Sequence, residues 1–306
     1  MRRLLIVLLL LAGFATLPAQ DLRLPLKDGS VKFAVIGDTG TGDSHQVSVA
    51  KQLTASRTKF PFEFALMMGD NLYSGDRPKD YEKAFQDPYK TLLDGGVKFY
   101  AVLGNHDNPN ERLYKPFNMN GERYYSFKPQ GSSVRFFALD SNYVDDKQIA
   151  WLEKELAASG SDWKICFFHH PLYSSGETHG PAELQRKLME PVFLKYGVNV
   201  VLSGHEHFYE RIKPQKGIQY FIVGSSAKVR TGDLRPSELT EKGWDRGYGF
   251  MLVEISGDEL YFQEISDKAE TIDAGSIRRV GKTPPTPGRS SQPIEQAPPA
   301  KPATTK

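Results

Sequence analysis

Val-Leu-Ser-Gly-His-Glu-His, residues 201–207, decides how this chain is read. An apolar run of the kind that forms a buried strand stops at Gly204, and two histidines follow one residue apart. Alone, the pair fits a surface turn as well as it fits two metal ligands at a strand end, so the other strand ends must decide. In extended chain alternate side chains point the same way. His205 and His207 are therefore expected to face one cleft, with Glu206 turned away from it.

Towards the N-terminus the same theme recurs, a short β-rich run followed by a loop and then a helical stretch. Val31–Gly37 precedes a candidate helix near 45–58, and Phe62–Gly69 and Lys98–Gly104 bracket a second at about 79–93. Val134–Asp140 precedes Lys-Gln-Ile-Ala-Trp-Leu-Glu-Lys-Glu-Leu, whose apolar residues recur at helical spacing. Asp162–Phe168 and a helix near 182–196 lead into Val198–Gly204. Three further runs, Ile-Gln-Tyr-Phe-Ile-Val-Gly, Gly-Phe-Met-Leu-Val-Glu-Ile and Glu-Leu-Tyr-Phe-Gln-Glu-Ile, follow at short intervals and suggest antiparallel strands. This order argues for an α/β layered domain with a mixed sheet core, and runs such as Ala-Val-Ile-Gly suit strands covered on both faces.

Composition sets limits. A chain of 306 residues with 39% hydrophobic content can bury a full core. The formal charge of +2 carries no nucleic-acid signal. Arg2, Arg3 and the basic residues from Lys282 onward more than account for it, leaving the body net negative. Residues 1–19 have a cationic start, an apolar stretch and small residues near Ala19, the layout of a secretory signal peptide. Their apolar run is short for a span of roughly 20 residues, so no stable membrane anchor is expected and the mature chain is expected to be secreted or periplasmic. Residues 282–306, rich in Pro, Ser, Thr and Gln, read as a disordered tail, which leaves one domain over 25–280. The single cysteine, Cys166, can form no internal disulfide and reads as an inert core residue.

The strand ends carry the chemistry. Asp38 follows the first run, Asp70 and Tyr73 the second, Asn105, His106 and Asp107 the third, and His169 and His170 the Asp162–Phe168 run. In open α/β sheets ligands bind outside the carboxyl ends of strands. Each piece has a bland alternative: Gly-Asp as a turn, Gly-Asn-His-Asp as a turn with a helix cap, His-His-Pro as a loop with a proline stop. Yet five of the seven histidines fall in these segments, with His179 ten residues beyond His169 and only His45 apart, in what reads as a solvated loop.

The ordered set resembles the calcineurin-like metallophosphoesterase superfamily, whose motifs run D-x-[HG], G-D-x-x, G-N-H-[DE], H-x-P and G-H-x-H. The resemblance covers about Val31 to at least Gly224. Most members carry a histidine two residues after the first aspartate; here that position is Gly40, and the second motif extends to Tyr73. That exchange is similar to the purple acid phosphatase branch, and His-His-Pro-Leu-Tyr-Ser-Ser-Gly-Glu-Thr-His-Gly-Pro looks closest to its small, tartrate-resistant type. The resemblance implies a four-layer α-β-β-α sandwich with mixed sheets and a metal site at the C-terminal ends of the strands.

It also implies two metal ions, one held by Asp38, Asp70, Tyr73 and His207, the other by Asp70, Asn105, His169 and His205, with Asp70 shared. His106 matches the histidine that contacts the substrate phosphate, and His179 or His170 would assist the leaving group. Three anionic ligands at the first site favour Fe(III), and the mixed N/O set at the second suits divalent Fe, Zn or Mn. The implied reaction is hydrolysis of a small-molecule phosphate monoester by in-line attack of a metal-bound hydroxide. A phosphodiesterase or nuclease on the same fold is the alternative, and a non-catalytic metal-binding protein is a rival of another class. No nucleic-acid partner is expected, and the sequence leaves the oligomeric state open. Tyr114, Tyr143, Tyr173, Lys228, Arg230 and Arg246 could line the cleft, although packing or a solvated surface explains each as simply.

Overall fold

The computed structural model describes residues 21–279, so the expected leader (1–19) and the whole of the expected tail (282–306) lie outside the described residues. β1 (Val31–Ile36) leads to α1 (Ser44–Arg57) and β2 (Phe64–Met67). A helical run follows, α2 (Pro78–Tyr81), a π turn at Glu82–Gln86 and α3 (Asp87–Asp94), and then β3 (Lys98–Ala101). Next come β4 (Tyr125–Phe127), β5 (Val134–Ala138), α4 (Asp146–Ala157), β6 (Trp163–Phe167), α5 (Glu183–Tyr196) and β7 (Val200–Ser203). The remainder is β8 (Tyr209–Gln215), β9 (Ile218–Val223), β10 (Thr240–Trp244), β11 (Gly249–Ser256), β12 (Glu259–Ser266) and β13 (Thr271–Arg278).

Local chemistry fixes the helix ends. Asp43 accepts the His45 and Gln46 N–H groups at 2.9 and 3.1 Å, and Asp145 accepts that of Gln148 at 2.8 Å. Gly197, with φ 70°, stops α5 in the left-handed conformation. His45 therefore sits in the first turn of α1 and not in the loop before it, with its ring stacked 4.2 Å from that of Tyr248.

The strands form two mixed sheets, ordered β13-β12-β11-β1-β2-β3 and β10-β8-β9-β7-β6-β5-β4. β1, β2 and β3 run parallel, as do β5, β6, β7 and β9. The expected run of three antiparallel strands needs correction. β11 and β12 do pair as a hairpin, but β9 lies parallel to β7 in the other sheet. The chain changes sheets between β9 and β11.

Alternation along the strands builds two cores. Phe136, Ile165, Phe167, Val200 and Leu202 face the other sheet, where Phe33 meets Phe136 edge-on at 5.1 Å. Their neighbours Phe137, Cys166 and Val201 face Leu152 and Leu156 of α4 and Met189 and Phe193 of α5. Leu152 and Leu156 repeat at one helical turn. Val49, Ala50 and Leu53 of α1 cover the outer face of the first sheet. The result is four layers, α-β-β-α, with Cys166 buried in the second core.

Candidate metal centre

The candidate ligands stand just past strand ends, at kinks in the backbone. Asp38, Asp70 and His205 have φ values of 56°, 52° and 70°, in the left-handed region that costs a non-glycine residue about 1–3 kcal/mol. The expectation of extended chain at His205 and His207 is thus overturned. The Glu206 N–H turns back to the Gly204 carbonyl at 2.8 Å and that of Phe208 to Glu206 at 2.7 Å, so tight turns, not strand alternation, aim the two rings.

Backbone hydrogen bonds lace the loops together. The Asp38 N–H donates to Gly69 O at 3.1 Å, that of Gly40 to Asp70 O at 3.1 Å, and that of Tyr73 to Gly40 O at 2.9 Å. Asp107 ties the third loop to the second by accepting from the Gly104 and Leu72 N–H groups at 2.7 and 3.0 Å. Two glycines permit this approach. A Cβ on Gly40 would lie 2.3 Å from the Asn71 carbonyl carbon, and one on Gly104 would lie 2.1 Å from Asp70 Oδ1. Gly40 therefore leaves no room for any side chain, and the Tyr73 hydroxyl reaches Asp38 Oδ1 at 3.4 Å.

Two groups of donor atoms result. Asp38, Asp70 and His207 each bring an atom within 4.8 Å of the others, and so do His169, His170 and His205. Asp70 connects the groups, with Oδ1 3.4 Å from His169 Nε2. Asn105 Oδ1 and His205 Nδ1 each lie 3.1 Å from the same nitrogen. All seven expected ligands are brought together, and His170 stands with them.

The donor set fits cations. His169 Nδ1 lies 2.8 Å from the Met68 carbonyl, an acceptor, so it carries the ring proton and Nε2 presents a lone pair. That lone pair faces the Asp70 and Asn105 oxygens, acceptors with no proton between them. A second ring proton is disfavoured, because burial and then His170 hold His169 well below the usual histidine range. Burial and the neighbouring imidazoles likewise push His205 to about 2. Asp38 and Asp70 are 0% and 1% exposed, and neither forms an ion pair with lysine or arginine among the described residues. Burial and the charge of Asp70 push the Asp38 carboxyl well up, and burial with Asp38 pushes the Tyr73 phenol far up. Buried charges without a partner are costly, and a multivalent cation is the partner this oxygen-and-imidazole set lacks.

His106 is exposed beside the cluster, its N–H held by Asp70 Oδ1 at 3.0 Å and its ring 5.0 Å from that of Tyr73. His179 is also exposed, with its ring 4.3 Å from that of His205. His170 pairs its Nδ1 with Ser141 Oγ at 2.8 Å, and burial lowers it to about 4. Of the six cleft candidates, Lys228 and Arg230 stand at this site. The Lys228 ammonium lies 3.7 Å from the Tyr73 ring centre, and burial and then Arg230 depress both His207 and His179. Tyr173 and Tyr114 pack elsewhere, against Tyr220 and Tyr81. Sequence reasoning missed Ser141 and the buried carboxylates Glu210 and Asp233, and gave Glu206, turned away from the cleft, no role. Only the place of Glu206 between two ligand histidines could have pointed to a role for any of them.

Comparison with known proteins places this geometry. The model of the calcineurin-like phosphoesterase family matches residues 31–209. Human (Homo sapiens) tartrate-resistant acid phosphatase type 5 is 29% identical over 313 residues, covering 84% of this chain and 95% of that protein. Purple acid phosphatase 7 of Arabidopsis thaliana is 28% identical over 282 residues, covering 79% of this chain and 85% of its own length. Among solved structures, the Plasmodium protein described as "GAP50 the anchor in the inner membrane complex" superposes with a TM-score of 0.73 at 21% identity, over 83% of this chain and 90% of that one, a likeness of fold alone. The chain belongs to the calcineurin-like phosphoesterase family.

Proposed function

We propose that this chain is an exported acid phosphatase that hydrolyses small-molecule phosphate monoesters at a two-metal centre. The observation that carries the proposal is the pairing of Gly40, which has no room for a side chain, with Tyr73, whose hydroxyl reaches Asp38. That pairing is the feature expected of the purple acid phosphatase branch. Fe(III) is assigned to Asp38, Asp70, Tyr73 and His207, and divalent Fe, Zn or Mn to Asp70, Asn105, His169 and His205. The working domain is residues 25–280, between a removed leader (1–19) and a Pro-rich tail (282–306). No described helix is long and apolar enough to cross a membrane.

When bound, such a pair supplies Lewis acidity towards phosphoryl oxygens and lowers the pKa of water from about 15.7 towards neutrality. The chain's own residues do the rest. Buried Asp38 and Asp70 supply fixed negative charge on one side, and the neutral imidazoles of His169, His205 and His207 supply lone pairs without adding repulsion to an anionic substrate. Exposed His106, anchored through its backbone, donates to a phosphoryl oxygen as charge builds up there. His179, at the solvent edge, gives a proton to the departing alkoxide. Lys228 and Arg230 hold positive charge at the mouth, which favours an incoming phosphate.

Turnover of matched mono- and diester substrates by metal-loaded protein tests the reading. A kcat/KM for the monoester at least about tenfold above that for the diester is expected. The reverse order points to the diesterase alternative, and no turnover of either by loaded protein points to a binding role.

A further inference from the structure

Residues 174–180, which carry His179 over the candidate ligands, form a loop exposed at its tip, Glu177, Thr178 and His179, and gripped from beneath. Gly180 N–H and Ser174 Oγ both donate to Glu206 Oε1, at 2.7 and 3.1 Å. Thr178 N–H and Oγ both donate to Asp233 Oδ1, at 2.9 and 2.5 Å. Ser175 N–H donates to Glu210 Oε2 at 3.0 Å, and Thr240 Oγ holds the other oxygen of that carboxylate at 2.5 Å. Glu177 N–H donates to Asp233 O at 3.0 Å, and Arg235 N–H to Ser175 O at 3.0 Å. The three carboxylates are themselves buried, Glu206 and Glu210 at 0% exposure and Asp233 at 5%.

Burying three carboxylates under one surface loop is costly, and the loop offsets that cost through Asp233 Oδ1, Glu210 and Glu206 Oε1, while Glu206 Oε2 has no partner among the described residues. A loop with nothing to hold in place would not need them. Charge-assisted bonds to backbone N–H groups are about twice as strong as neutral ones, and they fix position as well as contributing energy. The ring they steady faces the site directly, 4.3 Å from His205 and 6.5 Å from His207 between ring centres.

We infer that Asp233 and Glu206, supported by Glu210, are positioning residues that hold His179 at the leaving-group side of the site by clasping the 174–180 loop. The inference rests on the phosphatase reading. It also gives Glu206 a use: the residue between the two ligand histidines serves the loop opposite. Asp233 spends Oδ1 on the loop and places Oδ2 3.4 Å from Arg230 Nη1, so one carboxylate registers both the loop and a cation at the mouth.

The test is a double-mutant cycle, because residues acting only through one another show non-additive losses. Thr178→Val and Asp233→Ala are each combined with His179→Ala and assayed on an alkyl phosphate and on p-nitrophenyl phosphate. Alone, each should lower kcat on the alkyl ester by about tenfold, with a smaller loss on the ester whose leaving group needs no proton. In the His179→Ala background neither should cost more than about twofold further. Thr178→Ser, which keeps the hydroxyl, should restore the wild-type rate, and metal content should not change. Thr178→Val alters a surface residue and keeps the cycle readable if Asp233→Ala fails to fold. Additive losses, equal losses on both esters, or loss of metal would each overturn the inference. Hydrogen exchange separates the two claims: the loop amides should be protected in the wild type and exchange at least about tenfold faster in both single variants. A loaded wild type with a protected loop and no turnover would sink the phosphatase reading and the inference with it, whereas a wild-type loop exchanging as fast as the variants' would sink the inference alone.

Discussion

Asp70→Asn should make the metal-free protein more stable while ending metal loading. Asp38 and Asp70 are buried, with ligand atoms no more than 4.8 Å apart, and no lysine or arginine among the described residues pairs with either. Two unit charges at that distance in an effective dielectric of 20 repel by about 3.5 kcal/mol. Part of this is already relieved without metal, because Asp38 holds a proton well above the usual carboxylate range. A gain of about 1–3 kcal/mol remains. The amide keeps the oxygen that accepts the His106 N–H at 3.0 Å, so the shape of the site survives. For a chain of this size each kcal/mol moves the melting midpoint by roughly 2–4 °C. In chelator the variant should therefore melt about 2–12 °C above the wild type. On adding metal the wild type should rise and the variant should barely move, because the carboxylate linking both groups is gone. Calorimetry with and without chelator reads both effects. A variant that melts below the wild type in chelator would show instead that the Asp70 charge is already paired within the chain.

Three further outcomes follow from the same geometry. The folded-state pKa of Asp38 is raised above its ordinary value of 3.8, so its contribution to metal-free stability is full below that value and is lost as pH rises through the folded one. Melting points of chelated protein should fall with rising pH through this window, and those of loaded protein should fall with dropping pH as protons compete for the ligands. Gly40→Ala, whose Cβ would stand 2.3 Å from the Asn71 carbonyl carbon, should cost about 1–3 kcal/mol by denaturant unfolding and lower iron occupancy beside Tyr73, whereas Gly217→Ala, with open space around it, should leave iron occupancy unchanged. His106→Ala should retain both metals by elemental analysis while kcat falls about 10²–10³-fold.

The layered fold was legible wherever one strand or helix declared itself. The helix expected near 182–196 is α5 at Glu183–Tyr196, and the apolar runs at 31–37, 62–69 and 98–104 contain β1, β2 and β3. β8 was not legible, because Pro214 and the charges of Glu210, Arg211 and Lys213 argue against a strand; the structure absorbs the proline at an irregularity between Ile212 and Gln215. β10 and β13 are largely polar edge elements, and β4, an edge strand of three residues, is too short to stand out despite its aromatic residues. Nor does chain order say that β9 and β11 belong to different sheets, since that depends on pairing partners far apart in sequence. At the site, residue types at strand ends drew attention to these segments, and the ordered resemblance to the family motifs supplied the set of seven candidate ligands. The left-handed kinks at Asp38, Asp70 and His205 were out of reach, as neither aspartate nor histidine demands that conformation. The clasp by Asp233 and Glu210 depends on tertiary contacts across 55 and 35 residues, which no local pattern encodes.

Everything proposed for this chain depends on a two-cation centre with Tyr73 bound on one side of Asp70. Metal analysis with a visible spectrum, on wild type and Tyr73→Phe together, tests it most directly. About two metal ions per chain are expected, at least one of them iron, with a visible band present in the wild type and absent from the variant. A band that survives Tyr73→Phe, or fully active protein holding a single metal ion, would contradict it.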